Sequence, residues 1–388
     1  MPQAQQTNGS KEFLPKTFYF FYYAAMASLF PFLALHYEQI GLDKQQIGLL
    51  ASIPPILVLL GGSLWGAAAD ATRKHKLTLA VAIVGAILFS RLLSTTVHFL
   101  WLIPVVLAFA LFQSPIVPLA DNSVMEILGE RKDRYGKIRL WGAVGWGAAA
   151  PLIGRIVEQF GLGWSFHGYA LLMFCCLLVT LRLPVAHASI GSPFRSGLKT
   201  LLADRRWLLF LFLVLAGGVG MSFAHHFLFL FMDDLGASRS LMGWSLTVAT
   251  GSEMIVFFFT DRWLRRWGVR PLLVVAMLSA TLRLLAYSFA DASWQILIIQ
   301  LLHGPSFALM WTAGVSYVSR LAPPGLGATA QGLFSGVNFG LAGAIGALIG
   351  GSLYQHIGPF AMYRWASVGV LTCLLIFIIT DRKTGNRP

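Results

Sequence analysis

Residues 121–147 read DNSVMEILGERKDRYGKIRLWGAVGWG, and the reading of the whole chain turns on this stretch. Asp121 closes one apolar run, and Arg139 and Trp141 open the next. Between them lies a basic turn with Arg131, Lys132, Arg134 and Lys137. An Asp or Arg at the centre of a bilayer helix costs about 2.5–3.5 kcal/mol on insertion scales. Charges kept at the rims of oily helices therefore point to use. They hold a solute, carry a proton or lock two conformations together.

Outward from this stretch the chain is oily almost throughout. Its 388 residues are 56% hydrophobic and only 12% charged. A soluble domain carries about twice that charge. Apolar runs long enough to cross a bilayer recur from end to end, twelve of them, the first near 17–37 and the last near 359–380. The fold class expected is an all-α membrane protein of twelve transmembrane helices in two six-helix bundles. The expected parts are a polar, unstructured cytoplasmic tail at 1–16, a first bundle at 17–184, a basic cytoplasmic linker at 185–206, a second bundle at 207–380 and a tail at 381–388.

The net charge of +13 reports topology. With both termini in the cytosol, most of the Lys and Arg fall in loops and tails on that side, as the positive-inside rule requires. That placement excludes a nucleic-acid partner as the meaning of the charge. Cys175, Cys176 and Cys373 lie inside apolar runs, with no metal-ligand spacing and no disulfide framework.

Two halves of the sequence echo each other. The second span ends in Gly66, Asp70 and Arg73, and the eighth ends in Asp261 and Arg265. GAVGWGAAAPLIG from Gly142 has its counterpart in SGVNFGLAGAIGALIG from Ser335. The offset is about half the chain, so a six-span internal repeat is expected. Glycines at three- and four-residue spacing in spans five and eleven point to close helix packing, read as a crossing of the two halves. Pro115 and Pro118 in span four predict a kink ahead of Asp121 and Asn122. The aromatic run of span one, Phe18 to Tyr23, reads first as an interfacial belt and lipid-facing surface. One or two of its tyrosines are candidates to stack on a solute ring.

The second half carries its own polar set within apolar surroundings: His225 and His226, Glu253, Arg283 and His303. A carboxylate, a guanidinium and an imidazole on consecutive spans can form one midplane network. Histidine titrates near neutrality, so the set is suited to carrying a proton.

The loop Gly66-x-x-x-Asp70-x-x-Arg73 resembles the cytosolic loop of the major facilitator superfamily, where it fastens one transport conformation. Glu253, Arg283, His303, Arg139 and Asp121 resemble the charged set of the lactose-permease-like proton symporters. PLAD at 118–121 and YGKIRLWGAVGW at 135–146 look most like the phenylpropionate permease group. One position departs from that pattern: Ser306 stands where the lactose-permease branch has a glutamate three residues after the histidine.

The resemblance implies a secondary active transporter importing a small organic solute with a proton by alternating access. An aromatic carboxylate such as phenylpropionate is the first expectation. A sugar or nucleoside symporter, a proton-coupled exporter, and a receptor or lipid-handling protein are the alternatives. Expected solute ligands are Asp121, Asn122, Arg139, Trp141, Trp146, His225 and Arg283. Expected proton carriers are Glu253, His303 and Asp121, and expected conformational locks are Gly66, Asp70, Arg73, Asp261 and Arg265. The ionisable set of both halves is expected to serve one chamber. No enzyme activity, metal or cofactor is implied; the energy source is the proton gradient. The expected setting is a monomer in the inner (plasma) membrane, among its lipids.

Overall fold

The computed structural model describes residues 3–72, 74–129, 131, 134–183, 201, 203–323 and 326–384. Side chains at 3–11, 60, 62–64, 66–72, 328 and 381–384 are outside this description. Among the described residues all regular structure is helical. Ten helices among the described residues are long and apolar enough to cross a membrane, so this is a multi-pass membrane protein.

The first helices are α1 (Gln3–Gln39), α2 (Lys44–Thr72), α3 (His75–Thr95), α4 (Phe99–Gln113), α5 (Ile116–Leu128), α6 (Tyr135–Phe160) and α7 (Gly163–Arg182). Then follow α8 (Arg205–Asp234), α9 (Arg239–Trp267) and α10 (Val269–Tyr287). The chain continues with α11 (Gln295–Ile299), α12 (Leu309–Leu321), α13 (Gly327–Ser335) and α14 (Ala342–Thr384). The expected kink in span four is the break between α4 and α5 at Ser114–Pro115. The apolar segment nonetheless runs on through Leu128, which carries Asp121 well inside it. The long α14 changes direction at Gly358, whose φ of 78° is open to glycine at no steric cost.

The chain forms two compact units, and they do not divide at a single point. The first comprises Met1–Leu42, Ile56–Ile190 and Ser238–Thr247; the second comprises Asp43–Pro55, Gly191–Ala237 and Val248–Pro388. The seam in α2 falls at Pro54–Pro55, where two backbone donors are missing in succession. The N-terminal end of α2 is held in the second unit: the Lys44 amide donates to Gln355 Oε1 at 2.9 Å. The start of α9 is held in the first: the Ser240 amide donates to Glu158 at 3.0 Å, and Thr247 Oγ1 donates to the Gly147 carbonyl at 2.8 Å.

Within each unit the repeat reappears as one packing device. In the first unit α1 lies on α6 and α7, and in the second α8 lies on α14. A Cβ at Gly145 would run into the Phe20 carbonyl of α1. In the second unit Ser222 Oγ donates to the Gly343 carbonyl at 3.0 Å across the matching pair. Gly145 and Gly346 thus join helices of one half, while Gly154 packs on Arg239 and Gly343 on Pro55 of the other half, the crossing that the sequence suggested. Gly145→Val is expected to force α1 and α6 apart at a cost of about 1–3 kcal/mol. A melting temperature of the detergent-purified variant equal to that of wild type would contradict this contact.

Two other expectations are corrected. Phe18, Tyr19 and Tyr22 are buried inside the first unit, so much of the aromatic run is core and not lipid-facing belt. The stretch read as an unstructured tail is helical from Gln3, and Glu12 within it is buried.

Candidate functional site

In the first unit the site is built on α1, α5 and α6. Tyr19 and Tyr23 are four residues apart on α1 and so share one face. The Tyr19 hydroxyl donates to Asp121 Oδ1. Tyr135, the first residue of α6, brings a second hydroxyl to the same carboxylate. One turn on, Arg139 donates to the Tyr23 hydroxyl, and its guanidinium carbon lies 4.4 Å from the Tyr23 ring centre and 5.1 Å from that of Tyr19. A planar cation over two ring faces is stabilised by their quadrupoles while its edge stays available for hydrogen bonds. The two charges therefore meet through Tyr19, with the carboxylate on its hydroxyl and the guanidinium on its face. The start of α6 is fixed from behind: Arg134 donates to Glu12 Oε1 at 2.6 Å.

Gly142 sits beside this pair, since a Cβ there would touch Tyr23 and Arg139. Trp146 follows Arg139 by seven residues, which puts it on the same face about 10 Å further along. Trp141 does not join them. Two residues from Arg139 means the opposite side of the helix, and Trp141 lies in an apolar cleft with Phe13, Phe20 and Phe21. Asn122 is half-buried next to Asp121 on α5.

In the second unit Arg283 is only 4% exposed, and each of its three nitrogens has a partner. Nε donates to the Tyr287 hydroxyl at 3.0 Å, one Nη to Gln300 Oε1 at 2.6 Å, and the other to His303 Nδ1 at 2.9 Å. Arginine has no acceptor, so Nδ1 must be the unprotonated nitrogen of that ring. The proton of the neutral imidazole is then on Nε2, which lies 3.7 Å from Glu253 Oε2.

An irregular stretch of helix makes this meeting feasible. Residues 300–302 wind tightly and 304–308 wind loosely, on either side of His303. Loose single turns of this kind recur at functional sites. Ser252, next to Glu253 on α9, fastens the irregularity: it donates to the Leu301 carbonyl at 2.5 Å and accepts from the Gly304 amide at 3.1 Å. A Cβ at Gly304 would strike the Ser252 backbone, so only glycine admits this contact. Ser306 is buried and donates to the His303 carbonyl at 3.0 Å, so the position brings no second acid. Phe307 stacks on the His303 ring at 5.4 Å. His225 packs edge-on against His226 and lies within electrostatic range of His303 and Arg283.

Asp261 and Arg265 are exposed at the end of α9. Arg73 and the surroundings of Gly66 and Asp70 lie outside the described residues. Tyr19, Tyr23, Tyr135, Tyr287 and Gln300 were not singled out individually by the sequence. Tyr23 and Tyr287 lie one helical turn from Tyr19 and Arg283, and Gln300 lies one turn from His303. That spacing was the available signal.

A family model described as MFS_1 like family matches residues 14–365. The chain belongs to the MFS_1 like family. It is therefore a transporter by family and not an enzyme. Among relatives of this family, a maltose permease of Geobacillus stearothermophilus is 32% identical over 94% of this chain and 93% of its own length. A probable 3-phenylpropionic acid transporter of Escherichia coli K12 is 26% identical over 91% of this chain and 93% of its own. The crystal structure of the nucleoside transporter NupG superposes with a TM-score of 0.84, covering 95% of this chain and 98% of that one at 16% identity. At that identity the likeness speaks for the fold alone.

Proposed function

We propose that this chain imports a small organic solute together with a proton, by alternating access, through twelve spans. The count takes α2 as a span beside the ten long apolar helices and divides the last of those at Gly358. Both termini are placed in the cytosol, which the distribution of basic residues supports, and the protein is taken as a monomer in the inner (plasma) membrane.

The observation that carries the proton reading is the Arg283–His303–Glu253 chain. With Nδ1 accepting from Arg283, the ring takes a second proton only when Arg283 withdraws. Glu253 faces the other nitrogen and takes a proton without that rearrangement. A proton that passes from Glu253 to the imidazole is thereby linked to release of Arg283, which is what a coupled transporter requires of its charged groups. Asp121 is the proton carrier in reserve, already surrounded by hydroxyls.

For the solute, the first unit offers a carboxylate acceptor at Asp121, donors at Arg139 and Asn122, and ring faces at Tyr23 and Trp146. A mixed donor and acceptor set suits a hydroxylated neutral solute. Arg283, its three nitrogens already engaged, is a poor second ligand for a carboxylate. The similarity to a maltose permease supports the same choice, so a sugar or nucleoside is placed first. An aromatic carboxylate is the second reading, favoured by a guanidinium set among tyrosine rings and by the similarity to the phenylpropionic acid transporter.

Glu253→Gln tests the proton half in proteoliposomes. Exchange of labelled solute against unlabelled solute is expected to persist, while accumulation driven by a pH gradient is lost. Unchanged accumulation would move the proton site elsewhere. Replacing Asp261 or Arg265 is expected to slow cycling and leave binding intact.

A further inference from the structure

We propose that the first unit holds one anionic phospholipid in the cleft between α1 and α6, with an acyl chain in the cleft and the headgroup on Lys16 and Lys137. The cleft measures about 230 Å³ and is lined by Phe13, Lys16, Thr17, Phe20, Phe21 and Trp141. Its wall is carbon. The one hydroxyl, on Thr17, is already spent on the Phe13 carbonyl at 2.8 Å. Phe13 is 64% exposed and Trp141 43% exposed, so the aromatic wall opens outward.

The charge lies at one end only. On α6, Lys137 is four residues before Trp141 and shares its face. Lys137 is exposed and makes no ion pair among the described residues. On α1, Lys16 lies one turn before Phe20. Behind it the buried Glu12 takes three cations, with Lys16 at 3.3 Å, Arg131 at 3.7 Å and Arg134 at 2.6 Å. Among the described residues one carboxylate meets three cations at the rim, and Lys137 adds a fourth positive charge. The basic turn between α5 and α6 places this rim on the cytosolic side. Lysines that reach past an apolar stem to the interface, above an aromatic slot, match an anionic headgroup with its chain below. The solute site is excluded as the occupant's partner, because Trp141 and Arg139 stand on opposite sides of α6. The lipid would therefore press on α1 and α6, the helices that carry Tyr19, Tyr23 and Arg139, from behind.

Quenching of tryptophan fluorescence by lipids brominated on their chains tests this directly. The share of Trp141 is obtained by subtracting the signal of Trp141→Phe in bilayers of the same composition. Brominated phosphatidylglycerol is expected to quench that share at a lower mole fraction than brominated phosphatidylcholine, by roughly fivefold for each lysine engaged. Lys137→Gln, at a residue with no ion pair among the described residues, is expected to shrink the preference, and Lys16→Gln with it to remove it. Equal quenching by the two lipids would overturn the proposal by making the cleft ordinary lipid-facing surface. Absence of quenching by either would overturn it by assigning another occupant.

Discussion

Arg139→Ala is expected to weaken solute binding roughly 30- to 150-fold while the protein still reaches the membrane. The guanidinium stands over Tyr19 and Tyr23 and is bonded to the Tyr23 hydroxyl. It is the cation that these rings hold in place for an incoming group. A hydrogen bond to a charged partner is worth about 2–3 kcal/mol, which is that range of affinity. Arg139→Lys keeps the charge but loses the planar stacking and the fork, so it is expected to recover part of the loss. Asp121→Asn is the companion test. The amide oxygen still accepts from Tyr19, so the fold should survive, yet the charge that complements Arg139 is gone and active uptake is expected to vanish. Wild-type uptake in both variants would discard the roles assigned to this cluster. Binding is measured by thermal shift with maltose, uridine and 3-phenylpropionate, since a binder stabilises the folded state.

Arg283→Ala is expected to damage stability and coupling together. Gln300 Oε1, the Tyr287 hydroxyl and His303 Nδ1 each lose a donor in a buried setting. A buried polar group left without its partner costs about 1–3 kcal/mol. The melting temperature should therefore fall, and Arg283→Lys should restore only one of the three bonds. The coupling effect is separate. With Nδ1 released, the imidazole is free to take a proton whether or not solute is bound. Solute exchange at equilibrium should then continue in whatever protein remains folded, while a pH gradient no longer drives accumulation. Arg283→Ala protein with normal melting and normal gradient-driven uptake would show that this guanidinium is a bystander.

Much of this was legible in the sequence. Hydropathy marked the long apolar helices, and the half-length offset anticipated the matching packing of α1 on α6 and of α8 on α14. Glu253, Arg283 and His303 were conspicuous because isolated ionisable residues in oily runs are rare. Their partners were not. Tyr287 and Gln300 are ordinary residues in such segments, and only the irregular winding around His303 brings Gln300 to Arg283. Hydropathy does not encode a loose turn. Trp141 illustrates the opposite error. It was expected beside Arg139 as a solute ligand, but two residues along a helix is just over half a revolution. Glu12 was hidden by its polar neighbours, although its burial against Arg131 and Arg134 is what anchors the start of α6. The crossing of the short segments 43–55 and 238–247 into the other unit was foreshadowed by the small residues of spans five and eleven, since Gly48 packs on Ala347 and Gly351, and Gly243 on Ala150.

The central claim is that solute and proton enter together. Purified protein in proteoliposomes loaded with a pH-sensitive dye, with no gradient imposed, should acidify inside when maltose, uridine or 3-phenylpropionate is added outside, for whichever of these enters. Entry of labelled solute with no internal pH change would contradict the account.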